Sequence, residues 1–250
     1  MQLLSILLTV CLWAISVHAE ETPPPYLSQL LQRAHQAHLA DEREWHLLLH
    51  YRANLFGGFT SEQDEPGFFL SPEGKTDPQA ELDATLTQFF SPELVGRSKQ
   101  PAQCAFVARY IWLKERLSID PGQLPPMRCE RFERWFEEFH AQSITLVFPS
   151  AFMNNPASMF GHTLLRIDQE GQTPQTRILA YTMNFAADVP KDEGLAYPVR
   201  GIFGGYRGYF STIPYYLKVQ EYRDIENRDI WEYRLSFGEP QIRRLLMHAW

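Results

Sequence analysis

The period of the hydrophobic pattern changes once along this chain, near His140, and that change limits the possible folds more than any other feature. Before it, apolar residues recur at helical spacing. After it they fall into short runs rich in Ile, Val, Leu, Tyr and Phe. A chain built this way is α+β, with a helical region at residues 20–140 packed on an antiparallel-sheet unit at residues 141–250.

Within the first part, Thr-Pro-Pro-Pro ahead of Tyr26 makes a stiff lead-in. Leu27, Leu30, Leu31 and Ala34 then continue at helical spacing toward Trp45, Leu48 and Leu49. Phe56-Gly-Gly-Phe59 and the acidic residues after it read as a loop. Asp77-Pro78 reads as a cap followed by Pro at the first helical position, and Leu82, Leu86, Phe89 and Phe90 give that helix its buried stripe. The spacing of Phe106, Tyr110, Leu113 and Leu117 predicts a third helix over residues 102–117. A Pro-rich linker at residues 120–126 leads to a fourth helix, which starts at Cys129 and carries Phe132, Trp135, Phe136 and Phe139.

In the second part, strands are expected at residues 144–148, 161–168, 177–185 and 230–235. GIFGGYRGYFS at residues 201–211 reads as a glycine-rich aromatic loop. Ser236 and Glu239 have capping-box spacing ahead of a helix with Ile242, Leu245, Leu246 and Ala249 on one side. That helix reaches Trp250 without a Gly, Asn or Pro to end it, so the chain reads as cut short at its C-terminus.

The uncharged apolar run Leu3–Ile15, with Val17 and Ala19 at the small-residue positions of a cleavage site, predicts a secretory signal peptide over residues 1–19. A membrane anchor is the alternative, but the run is shorter than the roughly 18 to 20 residues that spanning requires. The residue after the cut is Glu20, so the chain does not read as lipid-anchored. Cleavage removes Cys11 and leaves Cys104 and Cys129 as an even pair in an oxidising compartment, which predicts a disulfide. In the cytosol the same pair would be two buried thiols. The net charge of −7 argues against nucleic-acid binding. No cofactor motif is present, and the oligomeric state is left open.

His162 carries the strongest chemical signal. It follows Gly161 at the entry to an apolar run, a few residues after Asn-Asn-Pro156, so His162, Leu164 and Arg166 face one side of a strand. A strand-borne His at a sheet end suits a general base, because the rigid element aims its ring nitrogen. A core histidine bonded to backbone is the other reading. His46 and His50 have the i, i+4 spacing of two zinc ligands on a helix, but Leu47 stands where a zinc protease needs Glu, and solvent-facing helix residues account for them better. Ser158 lacks a nucleophile elbow. Residues 226–229, Glu-Asn-Arg-Asp, read as a turn held by an ion pair.

Four strings in order, NNPASMFGHTLLRI, LAYTMNFAAD, GIFGGYRGYFSTIPYYLKVQEY and IENRDIWEYRLSF, closely resemble the Lnb N-terminal periplasmic domain family of bacterial envelope proteins, from about Ser143 to Trp250. The helical first half is similar to the region that precedes this domain in family members. The resemblance implies a circularly permuted papain-like fold of the NlpC and lecithin:retinol acyltransferase group, and a periplasmic lipoprotein N-acyltransferase working through a Cys–His thioester. His162 matches the motif His. Asn184, at the end of the next strand, is the candidate to orient it. In the Gly201–Ser211 loop, Tyr206 and its aromatic neighbours would cover an acyl chain, while Arg200 and Arg207 would meet a phosphate of a phospholipid or lipidated protein at the membrane surface; an ordinary Gly-rich connection whose aromatics pack on the sheet is the other reading. The family pattern continues into an Asn-Cys motif that this chain lacks, so the nucleophile is expected beyond Trp250. A non-catalytic periplasmic module that binds lipid, peptidoglycan or a protein partner is the alternative.

Overall fold

The computed structural model describes residues 24–65, 67–153, 161–187, 199–200, 205–206 and 208–250. The expected signal peptide at residues 1–19 lies outside them. The fold is α+β, as the change of period predicts. Among the described residues no helix is long and apolar enough to cross a membrane.

The first half is helical but more broken than its apolar spacing suggests. Helix α1 (Pro25–Gln36) starts on Pro at its first position and stops before His38, whose φ of 51° leaves helical space. Helix α2 (Arg43–Leu48) is therefore separate. Two residues past its end, His50 takes a φ of 55° and turns the chain into strand β1 (Tyr51–Ala53), which pairs with β2 (Phe59–Ser61). The expected helical placement of His50 is thus corrected. Helix α3 (Pro78–Gln88) begins as its sequence dictates, with Asp77 Oδ1 accepting from Gln79 N at 2.9 Å and Ala80 N at 3.0 Å.

A short hairpin, β3 (Leu94–Val95) with β4 (Gln100–Pro101), precedes helices α4 (Ala102–Ala105) and α5 (Val107–Leu117). The single helix expected over 102–117 is split at Phe106, where φ −126° and ψ 58° depart from the helix. Helix α6 (Glu130–Glu138) follows Cys129. Cys104 and Cys129 form a disulfide across 25 residues, S–S 2.01 Å. Leu30, Trp45, Leu82, Leu86 and Leu113, each fully buried, centre the core of this half.

The second half is a five-stranded antiparallel sheet. Its strands are β5 (Ala141–Pro149), β6 (Leu164–Gln169), β7 (Tyr181–Ala187), β8 (Gly208–Pro214) and β9 (Ile230–Arg234), in spatial order β8-β7-β6-β5-β9. Strand β8 corrects the expected loop at residues 208–211, while 201–204 and 207 of that expectation lie outside the described residues. Phe210 pairs with Phe185 and Ser211 with Asn184, so the aromatic residues that look like loop decoration are rungs of an edge strand. Helix α7 (Tyr215–Val219) and a π-helical turn (Gln220–Ile225) follow β8. Helix α8 (Glu239–Ala249) is capped at Gly238, whose N–H donates to Gln241 Oε1 at 3.1 Å; Ser236 is too early in the chain to serve.

The two sheet faces are covered by different elements, and this separates the chemistry from the domain contact. Ile144, Ile167 and Met183 pack under Ile242 and Leu246 of α8, while Val147 and Leu164 on the opposite face pack under Tyr215 and Tyr222. Val107, Phe132 and Met247 join the two halves, and Trp250 Nε1 donates to Cys104 O at 2.8 Å. Burial of each such side chain is worth about 1.5–3 kcal/mol.

Candidate functional site

The site is built at the entry to β6, where backbone shape leaves no choice of residue. Gly161 has φ 91°, and a Cβ there would come 2.8 Å from Phe148 Cζ and 3.1 Å from Pro149 O. Only glycine fits that conformation and that contact. The same left-handed turn explains why β6 begins at Leu164 and not, as its sequence suggests, at Gly161. The turn brings His162 N to 3.4 Å from Pro149 O.

His162 lies two residues before Leu164, on the sheet face that Leu164 shares with Tyr215 and Tyr222. Asn184 pairs with Leu164 across β6 and β7 and is 5% exposed. Its Oδ1 is hydrogen-bonded to His162 Nε2. An amide oxygen can only accept, so Nε2 carries a proton, and in the neutral imidazole Nδ1 has the lone pair. The imidazole is half-buried, and its centroid is 6.4 Å from that of Tyr222, the rings inclined at 47°. The structure therefore places together the two residues that sequence reasoning paired.

The wall beside His162 comes from the π-helical turn, a rare conformation that often marks functional segments. Tyr222 projects from it and is buried, which raises its phenol's pKa, with Glu221 adding to the effect. Arg228 lies behind. Its Nε donates to Ser150 O at 2.5 Å and its Nη2 to Pro149 O at 3.1 Å, with Nη1 2.8 Å from Glu226. Its guanidinium sits 4.8 Å over the Tyr222 ring. Sequence reasoning took residues 226–229 for a turn held by an ion pair, which they are. The reach of Arg228 back to β5 was invisible, because it depends on a contact 79 residues away.

Further along the same face lies a buried polar network. Arg166 is 3% exposed; its Nε donates to Asp168 at 2.6 Å, and its Nη1 lies 2.7 Å from Glu232 at ion-pair distance but outside hydrogen-bond geometry. Tyr215 donates to Glu232 at 2.7 Å, and Thr145 to Asp168. Burial works against the Arg166 charge, and the two carboxylates more than offset it, so its pKa is raised. Burial likewise works against the Glu232 carboxylate, and Arg166 with Tyr215 holds it below the usual range. Every charge here is answered within the network, which reads as a rigid support under the sheet.

Residues 131–250 match the Lnb N-terminal periplasmic domain. That segment belongs to the Lnb family. Residues 37–116 match a second family, Domain of unknown function (DUF7843). No curated protein and no solved structure matches the chain. The Lnb match marks the chain as a module of the periplasm or cell envelope.

Of the other expected site residues, Arg200 and Tyr206 are among the described ones. Arg200 is exposed, and its carbonyl accepts from Gly205 N at 2.8 Å. Arg207 lies outside the described residues, as does Ser158. Phe210 is 53% exposed and packs on Phe185, ring centroids 4.9 Å apart, so it lies on the outer strand of the sheet.

His46 Nε2 donates to Ala40 O at 2.8 Å, and the ring packs edge-on against Phe59. His50 stacks instead on His248 of the Lnb domain, centroids 5.0 Å apart. Neither faces solvent as a plain helix residue. The His50–His248 pair lines a cleft of about 500 Å³ between the helical half and the Lnb domain, with Phe68, Arg109, Phe210 and Trp250 also in its walls. Burial lowers the pKa of both imidazoles, aided by Arg109 and, for His248, by His50; Glu62 opposes the shift at His50. Among the described residues no group of three or more His, Cys, Asp or Glu is placed to hold a metal.

Proposed function

We propose that this chain carries the acid–base half of a cysteine-dependent acyltransferase, with a permuted papain-like arrangement and lipoprotein N-acylation as its reaction. One observation carries the reading: His162, at the rim of the sheet, is held through Nε2 by the buried Asn184 amide, which leaves Nδ1 to accept a proton. In the proposed cycle Nδ1 takes the proton of a thiol, and the thiolate attacks an ester carbonyl. A carbon–sulfur bond forms, the carbon–oxygen bond breaks, and the imidazolium returns its proton to the departing alcohol. An amine then attacks the thioester, giving an amide and restoring the thiol. Arg200, Tyr206 and Arg207 are proposed to receive the donor, the arginines meeting a phosphate.

Cys104 and Cys129 are bonded to each other, so neither is the thiol. The reading requires a cysteine from residues that follow Trp250. Export with cleavage after Ala19 belongs to the same proposal and makes Glu20 the first residue found on N-terminal sequencing of the exported protein. The decisive experiment extends the chain past Trp250, supplies a lipidated acceptor, and measures N-acyl gain by mass. Loss of transfer in H162A by about a hundredfold or more is expected; undiminished transfer overturns the role of His162. The pairing of both described cysteines favours a second reading, a non-catalytic envelope module that binds lipid, peptidoglycan or a protein partner. Absence of any Asn-Cys motif in the downstream coding sequence selects it.

A further inference from the structure

Arg228 holds more of the His162 environment than any other side chain around it. Its side chain is 1% exposed. Burying a guanidinium so deeply is costly unless each of its donors is used. Here only one donor goes to a carboxylate, Glu226, while two reach back across the fold to the carbonyls of Ser150 and Pro149. The Pro149 carbonyl also faces His162 N, so the arginine and the histidine share one backbone oxygen. The same guanidinium sits 4.8 Å over the ring of Tyr222, the aromatic neighbour of the imidazole. Arg228 N in turn donates to Tyr222 O at 2.7 Å, and Ser150 N donates to Asp229 O at 2.8 Å, closing the loop of contacts.

We propose that Arg228 is a positioning residue for His162: it clamps the end of β5 and the Tyr222 ring together, and so keeps the imidazole turned toward Asn184 with its proton on Nε2. The proposal deepens the reading of His162 as proton acceptor and rests on it for its functional meaning. The placement itself can be measured without any transfer reaction. A planar fork is needed for this task, because two carbonyls and an aromatic face are engaged at once. A lysine ammonium is a point donor and cannot engage both carbonyls and the ring at once.

The test is nitrogen NMR of the ring signals of His162 in the full chain, comparing wild type with R228A, R228K and N184A. A fixed tautomer gives widely separated Nδ1 and Nε2 shifts, and tautomer exchange draws them together. Wild type is expected to show wide separation, with N184A as the reference for its loss. In R228A the separation falls by half or more, in R228K by a smaller part, while the exposed His35 is unchanged in all four proteins. Either arginine variant, folded by circular dichroism and keeping the wild-type separation at His162, overturns the proposal. Should R228A fail to fold, R228K, which keeps the charge, decides alone. If H162A transfers normally while the arginine variants still lose the separation, the acyltransferase reading fails and the positioning role stands.

Discussion

Gly161 and Asn184 define the site at the scale of single residues, by opposite means. Gly161 contributes the absence of a side chain. G161A forces a Cβ into Phe148 and a φ of 91° on an L-residue, so it should destabilise the chain by about 1 kcal/mol or more and loosen His162 at the same time. Thermal melting together with the ring-nitrogen NMR of His162 checks both. Asn184 contributes an acceptor. N184A leaves the N–H of a half-buried imidazole without its partner, which is worth about 1 kcal/mol, and should lower transfer by the extended protein while leaving binding of the acyl donor nearly unchanged. Equal losses in kcat and in kcat/KM are the expected signature.

The same contrast runs through the elements. Asp77-Pro78 announces α3 because the cap and its consequence are adjacent, and the strands at 144–148 and 230–235 show themselves by alternating or continuous apolar residues. Breaks in helices were not legible. Nothing in the residues around His38 or Phe106 signals the left-handed or extended backbone found there, which tertiary packing imposes. The first four residues of β8 suit a turn by their glycine and aromatics, and only pairing with β7 makes them strand. His162 and Asn184 could be paired from their order on neighbouring strands, whereas Arg228 and Tyr222 reach the site through contacts far apart in sequence.

The helical half contains one bond of unusual weight. Glu81 of α3 is fully buried, lies 2.7 Å from Arg109 of α5, and accepts from the backbone of Leu70 and Ser71. The Arg109 guanidinium sits between Phe68 and Phe106, 4.5 and 4.1 Å from their rings. Burial pushes Glu81 up and Arg109 down to about 10, so both shifts oppose the charged pair and the paired geometry offsets them. E81A should therefore cost about 3–5 kcal/mol by stranding the guanidinium. E81M with R109L together should cost clearly less than the sum of the single changes, and urea unfolding of the four proteins gives that coupling.

At the scale of the whole molecule, a disulfide inside the helical half and a histidine contact between the halves set how stability responds to conditions. The disulfide should contribute about 3 kcal/mol, lost on reduction or in C104S with C129S, with a matching fall in Tm. The His50–His248 contact adds a dependence on pH. Both imidazoles bind protons less readily when folded than their ordinary pKa of 6.5 implies, so the unfolded chain takes up more protons as pH drops. The stability they contribute is complete above about pH 6.5 and declines as pH falls toward 4. His248 is exposed at the surface, so solvent screens much of the effect and the decline is shallow. H248Q should flatten the decline of Tm between those limits, as calorimetry across the range would show.

Trp250 gives the indole hydrogen bond that reaches the carbonyl of Cys104, 146 residues earlier. In a chain that enters an oxidising compartment N-terminus first, both cysteines arrive long before that indole does. The crosslink can therefore lock α4 and α6 into a waiting socket, and the tryptophan arrives later as a latch, so an oxidant withheld at the start should delay closure of the finished protein far more than one withheld at the end.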